Sequence, residues 1–223
     1  MLSGYGDTLA AAGRRQEAQK TLEDALKLAR ELNSQSLVAQ ALNSQGDAAF
    51  YRGDYKSART LYGQALPVAL RTKDRDKVLE LKFGMARVTG KEGHSREAIA
   101  SFKSLRQDAE NMGMKYLSVE CSVDVAEVLV STRDYAGARQ ELEPALGKAE
   151  KLGLRVLLAK AHYLEATVLR ETGKGEEAAG QYAATVRLLD DIRNEAGADK
   201  IIERADLKPV YEQSSRWSQG DKS

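Results

Sequence analysis

The sequence predicts an all-α protein built as an array of antiparallel helix hairpins. Three observations carry that reading. Ala, Leu, Glu, Lys, Arg and Gln, the strong helix formers, dominate the 223 residues, and only three prolines occur, Pro67, Pro144 and Pro209. β-Branched residues never gather into alternating runs. Glycines recur between apolar-periodic stretches, as at Gly13, Gly53, Gly113, Gly153 and Gly173. Together these give helices of roughly 12–18 residues joined by short connections.

The elements repeat. Displaced by forty residues, the sequence falls into register with itself. One column is Ala18, Ala58, Ala98, Ala138 and Ala178. A second is Leu22, Tyr62, Phe102, Leu142 and Tyr182, and a third Ala25, Ala65, Leu105, Ala145 and Thr185. Upstream, Gly6, Gly46, Ala86, Ala126 and Ala166 are all small. The turn column is Gly13, Gly53, Gly93, Arg133 and Gly173. Each column has a physical reading. A small residue on each helix of a hairpin lets the two cross closely. The large residue four positions after the alanine lies on the same face, one turn along. Glycine between the helices supplies a left-handed stop. Asp54 and Asp134 follow that turn, placed to cap the second helix. One hairpin cannot bury both its faces, but stacked neighbours can.

In order, the pattern predicts hairpins at 1–33, 35–73, 75–113, 115–153 and 155–193. The first is short, with only about a dozen residues before Gly13, and is expected to be the cut edge of a longer protein. From 194 to 223 the period is lost. There Ile201, Ile202, Leu207, Val210, Tyr211 and Trp217 predict one or two short helices covering the last repeat, and residues 218–223 a frayed tail.

Composition excludes several classes of function. With 34 Lys+Arg against 33 Asp+Glu, there is no global attraction to nucleic acid or anionic lipid. Short basic runs such as Arg14-Arg15 lack interleaved aromatics. One cysteine excludes a disulfide framework. No apolar run approaches the ~18 residues of a membrane span, and no secretory signal is visible, so a cytoplasmic protein is expected. Gly90-Lys91 and Gly173-Lys174-Gly175 lack phosphate-loop spacing. His94 and His162 stand apart, so neither a metal nor a cofactor is expected. Cys121 shares a buried helix face with Ala41, Leu81 and Ala161, and reads as a small core residue. Nothing pairs the many carboxylates for acid–base work. The expectation is a protein that is not an enzyme.

The repeat resembles the tetratricopeptide family. Gly46-x6-Gly53-Asp54-Tyr55-x2-Ala58-x3-Tyr62-x2-Ala65-Leu66 carries the resemblance, as does Gly6-x6-Gly13-x4-Ala18-x3-Leu22-x2-Ala25-Leu26. Gln45 and Tyr5 replace the leucine that the family often has before the first glycine. The period is longer than the family's usual 34 and is similar to its longer-helix variants, such as those of kinesin light chains and bacterial regulatory proteins. The resemblance covers about residues 2–190. It implies a right-handed superhelical array whose first helices line a concave groove for a peptide or helix of a protein partner. Carried over by column, the groove comprises Asn43, Asp47 and Tyr51 from the second repeat and Phe83 and Arg87 from the third. The fourth gives Val123, Asp124 and Glu127, and the fifth Tyr163 and Thr167. Phe83, Val123 and Tyr163 are the expected apolar anchors, and Glu141 is expected to face outward on a second helix. Some members clamp a partner's terminal carboxylate. Here Asp47 and Glu127 stand where such a clamp has asparagine, so an acidic end would be repelled. The expected function is a protein-interaction scaffold without catalysis. The alternative is a sensor or regulatory region, C-terminal in a larger bacterial kinase or transcription regulator.

Overall fold

A computed structural model describes residues 2–218. Its elements are α1 (Leu2–Ala11), α2 (Arg15–Glu31), α3 (Gln35–Tyr51), α4 (Tyr55–Thr72), α5 (Arg75–Lys91), α6 (Ser95–Asn111), α7 (Lys115–Ser131), α8 (Tyr135–Lys151), α9 (Arg155–Glu171), α10 (Gly175–Arg193), a 3-10 turn at Ile201–Glu203, and α11 (Lys208–Trp217). Among the described residues there is no strand. From α2 to α10 a helix begins every twenty residues, half the sequence period.

The stops explain the spacing. Gly13, Asn33, Gly53, Lys73, Gly93, Gly113, Arg133, Gly153 and Gly173 all have φ between 51° and 89°. After each, the next amide donates to the carbonyl five residues back, as Asp54 N–H does to Ala49 at 3.0 Å and Asp134 N–H to Leu129 at 2.9 Å. Such a bond ends a helix by satisfying one of its orphan carbonyls. Lys73 and Arg133 hold this left-handed conformation without glycine's freedom, at a cost of about 1 kcal/mol each. At three of these junctions the following helix starts on an aspartate side-chain cap. Asp54 accepts from Ser57 N–H at 3.1 Å, Asp74 from Lys77 N–H at 3.0 Å and Asp134 from Gly137 N–H at 2.9 Å.

The chain forms two compact units. The first runs through α1–α5 to His94 and includes Glu203–Ala205; the second comprises Ser95–Ile202 and resumes at Asp206. In the first, each helix packs on the next, and α1, α3 and α5 also adjoin one another in a layer of first helices. Ala18, Ala58 and Leu22 are wholly buried where the hairpin helices cross. Tyr62 of α4 fills the larger version of the Leu22 position. A Cβ at Gly46 would lie 2.4 Å from its ring, and one at Gly84 2.5 Å. The ring therefore threads between α3 and α5 where neither bears a side chain, which is why both glycines are needed.

In the second unit α6 through α10 pack in sequence and α7 adjoins α9. Ala138, Leu142, Val123 and Ala161 form a core with no exposed surface. Helix α11 packs on α10 and α9, where Leu207 and Val210 join Ala159, Leu189 and Ile192. Fully burying one such aliphatic side chain contributes about 1.5–3 kcal/mol. Arg106 of α6 donates to Glu141 of α8, whose side chain is only 14% exposed. Glu141 is thus a tie between second helices, not the outward residue the pattern implies, because the long arginine reaches it from one repeat back.

Candidate partner-binding face

In the first unit the columns bring Asn43, Asp47, Tyr51, Phe83 and Arg87 into one layer. Helical spacing puts Asn43, Asp47 and Tyr51 on successive turns of α3, with Phe83 and Arg87 one turn apart on α5. The Asp47 carboxylate accepts from the Tyr62 hydroxyl at 2.7 Å and from the Asn43 amide at 3.3 Å. Burial pushes its pKa up to about 6, against the opposing pull of the Tyr62 bond and the Arg87 charge. Asp7 of α1 is raised too, chiefly by burial, with a hydrogen bond to Ser44 opposing. Oδ1 of Asp7 and Oδ1 of Asn43 are buried without a hydrogen-bond partner. The Arg87 guanidinium carbon lies 3.8 Å from the Phe50 ring centroid, 5.5 Å from that of Tyr51 and 5.6 Å from that of Phe83. Aromatic faces attract such a cation.

Exposure corrects the anchor expectation. Phe83 is 6% exposed and Val123 not at all. Val123 packs among Ala126, Leu142 and Leu164, so this column meets neighbouring helices of the stack and presents no free apolar surface at those two positions. Asp124 is buried as well, while Glu127 and Thr167 are half-buried. Tyr163 is half-buried; its hydroxyl donates to Gln213 of α11 at 2.8 Å. Thr167 donates to the Tyr163 carbonyl at 2.9 Å. Beside them the Lys160 ammonium meets the Asp206 carboxylate at 2.7 Å, with both side chains almost fully enclosed. Arg170 lies over the Trp217 ring at 4.8 Å. In this unit the first-helix face of α9 is covered by the chain's own C-terminal helix.

Sequence reasoning passed over three participants. Tyr62 read as core, yet its hydroxyl reaches the candidate face. Asp7 falls in register with Asp47, but the groove columns are carried over only from the second repeat onward. Arg204 lies outside the period. The signal for the first was Gly84, which stands where Ser44, Asp124 and Leu164 stand in other repeats. Cys121 is fully buried, and burial holds its thiol far above its ordinary range, unsuited to nucleophilic work. Among the described residues, no group of three or more His, Cys, Asp or Glu side chains is placed to hold a metal ion, and no helix is long and apolar enough to cross a membrane.

Comparison with known proteins agrees with this architecture. Residues 1–71 match the tetratricopeptide repeat family. No curated protein matches the chain. Among solved structures, that of BtubC (BKLC) from P. vanneervenii is similar with a TM-score of 0.60 at 16% identity, over 92% of this chain and 88% of that one. At that identity the likeness shows the fold. Residues 1–71 thus match tetratricopeptide repeats, and the chain has a helical-repeat fold in which the same forty-residue hairpin spacing continues beyond them.

Proposed function

We propose that the chain is a non-catalytic interaction scaffold that holds a peptide or helical segment of a protein partner on the first-helix face of its first unit. One observation carries this reading: buried polar atoms there are left unused by the fold. Oδ1 of Asp7 and Oδ1 of Asn43 have no hydrogen-bond partner, and Asp47 keeps its carboxyl where burial opposes its charge. A buried unsatisfied group costs about 1–3 kcal/mol, and apolar replacements would remove that cost. A partner supplying N–H donors would satisfy the two Oδ1 atoms, and a cationic group would offset the burial of the Asp47 charge. Tyr51 and Arg87 border the patch with an aromatic ring and a guanidinium, groups of the kind enriched at binding hot spots. Tetratricopeptide repeats generally mediate protein–protein contacts, which fits the same reading.

The test begins with affinity capture on the full wild-type chain and chemical crosslinking of the captured complex. The captured partner is then titrated against Asn43→Leu and Asp47→Leu, with Glu143→Lys as an exposed control on α8. The two patch variants should weaken binding about thirtyfold or more, and the control should leave it unchanged. Binding indifferent to both patch variants would refute the assignment.

A further inference from the structure

The first unit contains three residues that do not belong to its repeats. Glu203–Ala205 lie against the C-terminal ends of α1 and α3. The Ala205 amide donates to the Tyr51 carbonyl at 2.8 Å. The Arg204 guanidinium carbon stands 3.8 Å from the Tyr51 ring centroid, and its Nη1 donates to the Ala11 carbonyl at 3.1 Å. Arg15 donates to the Glu203 carbonyl. A Cβ added at Gly53 would stand 3.4 Å from that of Ala205, an ordinary van der Waals contact, so the segment lies directly against the turn after α3.

These contacts have the form of peptide recognition. All four polar or ring contacts use a main-chain group of the segment or a guanidinium, and none requires the helical repeat in the segment itself. Ala11 and Tyr51 are the last residues of α1 and α3. Their carbonyls are among those a helix leaves without an internal partner, and the ends of both helices carry partial negative charge. A guanidinium with planar donors suits both that charge and the Tyr51 face. Arg204 is 5% exposed, although it sits between the exposed Glu203 and the half-buried Ala205. The segment adds almost no aliphatic surface to this unit; the apolar work of the C-terminal region is done by Leu207 and Val210 in the other.

We infer that Glu203–Ala205 is an internal occupant of a peptide-binding site at the ends of α1 and α3, and that the site takes a turn-forming partner segment that presents an arginine, which must displace Arg204. This rests on the reading of the first-helix face as the partner-binding face, with which it shares Tyr51. Free chain is then self-blocked, and its apparent affinity is lowered by the fraction of molecules in which the segment is seated.

The probe is a fluorescent heptapeptide with the sequence of residues 201–207, titrated by anisotropy against the full chain and full-chain Arg204→Ala. If the segment is seated in 90–99% of molecules, the variant should bind the peptide about 10- to 100-fold more tightly than wild type. A heptapeptide with alanine for its arginine should bind neither. Tyr51→Leu added to Arg204→Ala should abolish the gain. Circular dichroism and melting establish folding. Should Arg204→Ala fail to fold, Arg204→Lys serves instead, since it keeps charge and stem but loses the planar fork; tighter peptide binding than wild type is again expected. Equal affinity of wild type and variant, no binding by either, or binding of the arginine-free peptide overturns the inference. The two readings separate cleanly. A partner that depends on Asn43 and Asp47 but ignores Arg204→Ala sinks only the self-blocking, whereas a partner indifferent to Asn43 and Asp47 sinks the assigned face and leaves the peptide titration to stand alone.

Discussion

Replacing Asp47 by asparagine should make the protein more stable at neutral pH, by an amount that disappears in acid. The folded carboxyl has a pKa of about 6, raised from 3.8, and the first cause is burial. A raised carboxyl pKa means that the folded state binds the proton more tightly than the unfolded chain. The associated stability is fully present below pH 3.8 and is lost as pH rises through about 6. The rise from 3.8 to about 6 corresponds to ~3 kcal/mol, and residual solvent contact brings the expected gain to ~1–3 kcal/mol. Asparagine keeps the geometry. Its Oδ1 still accepts from the Tyr62 hydroxyl, now 2.7 Å from the carboxylate. Its amide can donate to Asn43 Oδ1, which has no partner in the wild-type protein, once the Asn43 amide turns over. The assay is urea unfolding followed by circular dichroism from pH 4 to 8, with the two proteins compared at each pH. The difference should be near zero at pH 4 and grow to ~1–3 kcal/mol by pH 7.5. Asp7 is also raised, but it is present in both proteins and largely cancels. A variant equal to or weaker than wild type at pH 7.5 would show that Asp47 is not held at a cost. The argument that this carboxylate is kept for binding would then fall.

Three further outcomes follow from the packing. Gly84→Ala would place a Cβ 2.5 Å from the Tyr62 ring and should cost ~1–3 kcal/mol, whereas Gly63→Ala, with open space around it, should gain up to ~1 kcal/mol from helix propensity. Melting of the two single variants checks the pair, and a loss at Gly63 or none at Gly84 contradicts it. Ala138→Leu overpacks a position with no exposed surface and should cost ~1–3 kcal/mol by the same measurement. Asp206→Ala strands the enclosed Lys160 ammonium and should cost about 3–5 kcal/mol. Because α11 follows directly, Trp217 emission should shift to the red, and an unshifted spectrum would show that α11 docks without this pair.

The repeat was legible in the sequence because helix hairpins are local objects. The alanine columns, the large residue four positions on and the glycines between helices are all set by neighbours within one or two turns, and Ala18, Ala58 and Ala138 are indeed wholly buried. The left-handed stops at Asn33 and Lys73 were harder to see, since they lack glycine's signature and are required only by the twenty-residue spacing. The candidate face was legible in its columns and not in its exposure. Asn43, Phe83 and Val123 share a column, but whether such a residue meets solvent or a neighbouring helix depends on how hairpins stack, and at Phe83 and Val123 the stack encloses it. Tyr62 reaches Asp47 only because glycines of two different helices open a path for its ring. Arg204 lies 193 residues from the carbonyl it meets on Ala11, in a stretch with no period at all. Periodicity encodes what repeats, and a contact made once, between a helix end and a distant irregular segment, leaves no trace in it until the chain is folded.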